Sequence, residues 1–328
     1  MAEGMRHWAN PSSPHAEGRK ARALLEDART RIKAALGWKG ELIFTSGASE
    51  ALALGLQRAK AKRCLVSAVE HEAMFRAASD ADMIPLLDGD IASDVLHREL
   101  ERGPPAVIAV QSLNSETGTI LWSETAPPEL GTIRSHGSLL LRDCSQSAGK
   151  FALPSADMVV ITAHKFGGPI GVGALLVRDF AMLEPQGGHE RGYRQGTENL
   201  PGALGMAAAL EVADMDGWPT SVEERLDFKR ALMDFGEIIQ PGQQCSHIFA
   251  VAHPTMSAQA QLIRLDAMGF AVSAGSACSS GTLRKSRVLE GFRIDDATAS
   301  RTIRVSLGWT TTKEELDRFL EAWSGLSS

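Results

Sequence analysis

The chain has no Cys-x-x-Cys pair. Its four cysteines, Cys64, Cys144, Cys245 and Cys278, are widely spaced, which argues against a disulfide framework or a zinc site. No apolar run approaches the roughly 20 residues that a membrane-spanning helix needs. The start, Met1 to Asn10, has neither the basic flank nor the hydrophobic stretch of a signal peptide. Positive charge is not in excess either. With 34 Lys and Arg against 40 Asp and Glu, the formal net charge is −6, which offers no sequence-independent grip on nucleic acid or an anionic membrane surface. These absences predict a cytoplasmic protein with no metal, no membrane contact and no direct nucleic-acid partner.

What is present suits a globular protein: 44% hydrophobic and 23% charged residues over 328 positions, enough for one or two domains with a sizeable core. Ala21, Leu24, Leu25, Ala28, Ile32 and Ala35 recur at spacings of three and four, which predicts an amphipathic helix closed by Gly37. Glu41 to Thr45 reads as a short strand that turns at Ser46 and Gly47 into a helical run, Glu50 to Lys60. Compact apolar runs follow at Cys64 to Ala68, Ala106 to Ser112, Ser138 to Arg142, Met158 to Thr162 and Gly173 to Val177. Their alternation with helical or turn-rich stretches predicts an α/β domain with a mostly parallel central sheet and helices on both faces. From about Gly202 onward the elements are mixed, which predicts a smaller α+β domain. The expected division is a short N-terminal segment (1–16), a large α/β domain (17–205) and a small α+β domain (206–328). With no internal repeat or long linker, the two domains should pack closely.

Several segments could carry chemistry. The run DMVVITAHKFGGPIGVG delivers Thr162, His164 and Lys165 from an apolar strand into a glycine-rich turn, where a desolvated lysine can become a Schiff-base nucleophile. Asp143 ends the run SLLLRD, with Gln146 just beyond, at the strand end where α/β sheets bind ligands. The turn Ser46-Gly47-Ala48-Ser49 offers free backbone N–H groups and a hydroxyl for a phosphate. His71 follows another strand and could stack on a flat ring or exchange protons. Cys278 stands among serines and glycines, with Arg284, Lys285 and Arg287 nearby to favour its thiolate. Arg304 could bind a carboxylate with its guanidinium fork. Singly, each has an ordinary reading: a solvated lysine, an N-cap aspartate or serine, a loop histidine, an incidental thiol, a surface ion pair.

In this order the segments resemble the cysteine desulfurases, pyridoxal phosphate enzymes of the class V aminotransferase group. The resemblance rests on NPSSPHAEGRKAR, TSGASE, EHEAM, NSETG, DCSQSAGK, TAHKFGGPIGVGAL, GGHERGYRQGTEN, SAGSACSSG and IRVSLGWTTTKEE, which run from Asn10 to Glu315. It implies the fold type I of pyridoxal phosphate enzymes and a cysteine-to-alanine reaction in which Cys278 takes the sulfur as a persulfide. Lys165 would hold pyridoxal 5'-phosphate as a Schiff base, Asp143 would pair with its ring nitrogen, Gln146 would touch its phenolic oxygen and His71 would stack on the ring. Ala48, Ser49, Thr162 and His164 would hold the phosphate, joined by Thr197 of the second copy in a homodimer. Arg304 would bind the carboxylate of L-cysteine. In NSETG the family's usual cofactor-contacting asparagine corresponds to Ser115, and Asn114 stands one place earlier as a substrate contact. The initial strand and Ala-Thr-Thr turn usual in the family are absent, as is the tail with which relatives dock a sulfur-accepting scaffold. The implied partner is a sulfur-acceptor protein, an iron–sulfur scaffold or a sulfur carrier. Two alternatives stay open: a pyridoxal phosphate-dependent lyase or aminotransferase acting on another amino acid, and a low-activity subunit of a sulfur-transfer complex.

Overall fold

The computed structural model describes residues 1–122, 127, 129–275 and 286–327. The strands in chain order are β1 (Glu41–Thr45), β2 (Arg63–Ser67), β3 (Asp82–Ile84), a two-stranded ribbon of β4 (Leu86–Leu87) and β5 (Asp90–Ile91), β6 (Ala106–Gln111), β7 (Leu139–Asp143), β8 (Met158–Thr162) and β9 (Gly173–Val177). Three more follow: β10 (Glu237–Ile239), β11 (Ile248–Ala252) and β12 (Thr302–Ser306).

Seven strands form one sheet in the order β1-β9-β8-β7-β6-β2-β3. The pairs β3–β2, β2–β6, β6–β7 and β7–β8 are parallel, so the mostly parallel sheet read from the sequence is present. Only β9 is reversed, running against both β8 and β1. Strands β6, β8 and β9 are buried at every residue. They appear as unbroken apolar runs because helices cover the sheet on both sides. Alternate residues of β8 feed two separate cores. Val159 and Ile161 pack with Leu25 and Ile32 of helix Ala16–Ala35 and with Leu204 of helix Leu200–Glu211. Met158 and Val160 pack with Leu52 and Leu56 of helix Ala48–Arg58.

The expected first helix spans Ala16–Ala35, and Gly37 beyond it has φ +65. His15 caps it, its Nδ1 accepting from the Gly18 N–H at 3.1 Å. The later part of the chain builds an antiparallel sheet, β10-β11-β12, over a core that includes Phe228, Phe249, Phe319 and Trp323. Helices Val222–Met233 and Lys313–Ser324 flank it, each begun by a capping box, Ser221 with Glu224 and Thr312 with Glu315. No described helix is long and apolar enough to cross a membrane.

The carboxyl ends of β2, β6, β7 and β8 point the same way. Their following loops therefore converge on one rim of the sheet, where open α/β sheets place ligands.

Candidate active site

A cavity of about 780 Å³ opens at that rim. It is lined by Ala48 and Ser49 from the helix after β1, His71 from the loop after β2, and Ser115 from the loop after β6. Asp143 and Gln146 reach it from the end of β7, Thr162, His164 and Lys165 from the end of β8, and Arg304 from β12. Residues far apart in sequence thus meet because parallel strands deliver all their exits to one edge.

One wall is shaped for an anion. Helix Ala48–Arg58 begins without a side-chain cap, and its first residues, Ala48 and Ser49, line the cavity. Gly47 before it has φ +152, a backbone state that L side chains rarely adopt, and lies against Thr162 on the neighbouring strand end. The Thr162 hydroxyl stands 3.1 Å from His164 Nδ1. Desolvation, and then the charge of Lys165, lower the His164 imidazole below its ordinary value, so near neutral pH it is uncharged. Glu50 also lines the cavity; its carboxylate accepts from the Ser46 N–H at 2.5 Å and from Arg194 Nε at 3.0 Å, bracing the turn.

The opposite wall holds carboxylates. Asp143 is buried, and its Oδ1 accepts from both the N–H (2.9 Å) and the hydroxyl (2.5 Å) of Ser145. Burial raises the Asp143 carboxyl, while Ser145, His71 and Lys165 oppose that shift. Desolvation lowers His71 below the ordinary imidazole value. His71 also caps helix Glu72–Ala77, its Nδ1 accepting from the Ala73 N–H at 3.1 Å. That bond identifies Nδ1 as the acceptor and leaves Nε2 to carry the proton.

Glu70, absent from the sequence reading, is fully enclosed beside it. Burial raises its carboxyl well above the ordinary range, although Oε1 accepts from the Gln111 N–H at 2.7 Å. Ser145, Gln111 and Glu116 were also missed. The only sequence signals for them were a hydroxyl two places after Asp143, a polar residue ending an apolar strand, and an acid beside Ser115.

At the mouth, Arg304 Nη1 donates to the Ser115 carbonyl at 3.1 Å. Asn114, expected to touch substrate, is placed otherwise. It is buried, its Nδ2 donates to the Val69 carbonyl at 3.1 Å, and its Oδ1 accepts from the Glu116 and Thr117 N–H groups, each at 2.9 Å. It shapes the loop from within and does not line the cavity. Thr197 is exposed and does not line the cavity of its own chain. Cys278 lies outside the described residues. Gly275 and Arg287, on either side of the segment that contains it, both line the cavity.

The family model for Aminotransferase class-V matches residues 2–319. The chain belongs to the class V aminotransferases. Among curated members of the group, it is 31% identical to a protein named "Cysteine desulfurase IscS 1" from Archaeoglobus fulgidus, over 98% of this chain and 90% of that one. Among solved structures it resembles a "NIFS-LIKE PROTEIN" with a TM-score of 0.85 and 26% identity, covering 99% of this chain and 93% of that one. It also resembles one titled "SspA in complex with cysteine", with a TM-score of 0.75 and 26% identity over 94% and 93% of the two chains.

Proposed function

We propose that this class V aminotransferase is a cysteine desulfurase that uses pyridoxal 5'-phosphate and acts as a cytoplasmic homodimer. It converts L-cysteine to L-alanine and leaves a persulfide on Cys278, which is passed to an acceptor protein for iron–sulfur cluster assembly or other sulfur transfer. The observation that carries the reading is that Lys165, Asp143, an uncapped helix start and Arg304 all open onto one cavity.

The donor set fits the cofactor. An aldehyde needs an amine, which Lys165 Nζ provides. A pyridine nitrogen needs a buried acceptor that favours a positive N–H, and the enclosed Asp143 carboxylate is one. A phosphate needs N–H groups and hydroxyls, which Ala48, Ser49, Thr162 and the neutral His164 supply, with Thr197 of a second copy. When bound, the cofactor supplies an electron-accepting ring that stabilises negative charge at the substrate's α-carbon.

The chain's own groups do the rest. With the cofactor in place, Asp143 would hold the ring-nitrogen proton, His71 would stack against the ring, and Gln146 would hydrogen-bond the phenolic oxygen. Arg304 orients the substrate carboxylate next to Ser115. Lys165 Nζ would carry the α-proton of the bound substrate. The Cys278 thiolate attacks the substrate sulfur: an S–S bond forms, the carbon–sulfur bond breaks with its electron pair staying on carbon, and protonation there completes alanine. Cys278 is three residues from Gly275, a separation that the backbone spans in at most roughly 11 Å.

The test is release of alanine and persulfide sulfur from L-cysteine by the wild type, Lys165→Ala and Cys278→Ala, with borohydride reduction and peptide mapping of the first. Loss of both products in both variants and a reduced adduct on Lys165 are expected. Turnover unchanged in Cys278→Ala would make the enzyme a lyase or aminotransferase of another kind. A protein that stays colourless with added cofactor would leave only a structural role.

A further inference from the structure

The wall shaped for an anion also carries an acid. Glu50 lines the cavity one residue beyond Ser49, where a carboxylate opposes the phosphate that Ala48 and Ser49 are proposed to hold. Burial raises the Glu50 carboxyl, but the hydrogen bonds from Ser46 and then the charge of Arg194 outweigh burial and leave it below its ordinary value. Near neutral pH it is therefore ionised. Its two oxygens are divided: Oε2 accepts from the Ser46 N–H at 2.5 Å, and Oε1 accepts from Arg194 Nε at 3.0 Å. The Arg194 side chain is only 16% exposed, so salt and water screen the pair incompletely.

Arg194 is brought to this acid by a loop under backbone strain. Glu190 and Arg191 have φ +48 and +59, in the left-handed region that side chains rarely adopt. The loop doubles back on itself. The His189 N–H donates to the Arg194 carbonyl at 2.7 Å, and the Arg194 N–H donates to the His189 carbonyl at 3.2 Å. A Cβ at Gly188, whose φ is +89, would come within 2.8 Å of that Arg194 carbonyl, so only glycine fits. Buried Glu190 anchors the loop, accepting from Arg29 at 2.8 and 3.0 Å. Strain of this kind persists only where the surroundings impose it, and here it delivers a permanently charged guanidinium to Glu50.

We infer that Arg194 is a positioning residue for the phosphate: through Glu50 it fixes the Ser46–Gly47 turn from which the cradle starts, and it neutralises the carboxylate beside that cradle. The inference rests on the phosphate-holding role proposed for Ala48 and Ser49. Arg194 does not itself line the cavity, whereas Glu50 does. Its influence on the anion is therefore expected to depend on the acid between them.

Calorimetry of the full-length protein freed of cofactor, titrated with inorganic phosphate at constant ionic strength, tests this dependence. Arg194→Met should weaken phosphate binding roughly ten-fold, the size expected when one unit charge is left bare near an anion at a partly exposed site. In a Glu50→Gln background the same substitution should cost less than about three-fold, because no carboxylate is left to neutralise. Arg194→Lys, which keeps the charge, should stay within about three-fold of the wild type. Equal losses from Arg194→Met in the two backgrounds, or no loss in the wild-type background, overturn the proposal. If Arg194→Met does not fold, Arg194→Lys and Arg194→Gln decide: the glutamine variant must bind phosphate several-fold more weakly than the lysine variant, and equal affinities overturn the idea. A wild type that binds no phosphate overturns it as well. Inorganic phosphate has no aldehyde, so the outcome is separate from the borohydride test. A Lys165 that takes no adduct, in a protein whose phosphate affinity follows Arg194 in this way, would sink the desulfurase reading and leave the positioning role standing.

Discussion

The Ser286 hydroxyl donates to Glu116 Oε2 at 2.6 Å, joining residues 170 positions apart in the sequence at a carboxylate that lines the cavity. The same oxygen caps helix Arg287–Gly291, accepting from the Leu289 N–H at 3.1 Å. Burial raises the Glu116 carboxyl, while this hydrogen bond and the charge of Arg304 oppose that shift. Arg287 secures the next position by pairing with Glu72 at 3.0 Å and lying over the Phe75 ring. Residue 286 is therefore a fixed post at which the segment carrying Cys278 rejoins the described fold.

Ser286→Ala should cost roughly 1–3 kcal/mol of stability, since it removes a helix cap and a hydrogen bond to a half-buried carboxylate together. Urea denaturation measures it, and Ser286→Thr, which keeps the hydroxyl, should recover most of the loss. Equal destabilisation by the two substitutions would show that the hydroxyl is not what matters.

His247 should make the protein acid-sensitive. It is 2% exposed, stands between the rings of Phe151 and Trp218, and has no hydrogen-bond partner for either ring nitrogen among the described residues. Burial, and then the charges of Lys150 and Arg225, lower it to about 3. The unfolded chain takes up a proton below its ordinary value of about 6.5 that the folded chain refuses, so stability falls as pH falls from there toward 3. The contribution lost between pH 7 and pH 4 is about 3 kcal/mol. Denaturation of the wild type and His247→Phe at both pH values checks it: the phenylalanine variant should lose less stability on acidification, and parallel losses would refute the assignment.

The Arg29–Glu190 pair should be a stability hot spot far from the chemistry. Arg29 Nη1 and Nη2 donate to the two Glu190 oxygens at 2.8 and 3.0 Å, and both residues are buried. Glu190 Oε2 also accepts from the Phe44 N–H at 2.8 Å, and Arg29 donates to the Leu42 carbonyl at 2.5 Å, so the pair pins β1 from its outer side. Glu190→Ala leaves Arg29 only the more exposed Glu26 as an ion partner, at 3.2 Å, and strips the buried Phe44 N–H of its acceptor, so it should destabilise by roughly 3 kcal/mol. Urea midpoints decide it, and a loss under about 1 kcal/mol would mean that water reaches the site.

Much of this architecture was legible because buried parallel strands leave a distinctive trace. The runs at Glu41 to Thr45, Met158 to Thr162 and Gly173 to Val177 coincide with strands because each is covered on both faces and bounded by turn-forming residues. The reversal of β9 was not legible, since a strand's composition does not encode its direction. The ribbon at Leu86–Leu87 and Asp90–Ile91 is too short to establish a period. Within the site, Lys165, Asp143 and His71 could be picked out because their types and strand-end positions carry chemical meaning. Asn114 could not be assigned in this way. From the sequence it looks like a contact residue, and only the coordinates reveal its amide spent on Val69, Glu116 and Thr117. Glu70 was hidden by a different cause, because an acid beside a histidine looks solvated until the strand order encloses it.

The lone reversed strand has a consequence for assembly of the chain during folding. Thr162 pairs with Gly173, and the Ala163 N–H returns to the Val172 carbonyl at 3.1 Å, so the seat of Lys165 closes by a short-range contact with little loop entropy to overcome. Strand β1, by contrast, must find β9 across more than a third of the polypeptide before Ser49 can face that seat. The reactive amine is held by the most local pairing in the sheet, and the anion cradle opposite it by one of the most distant.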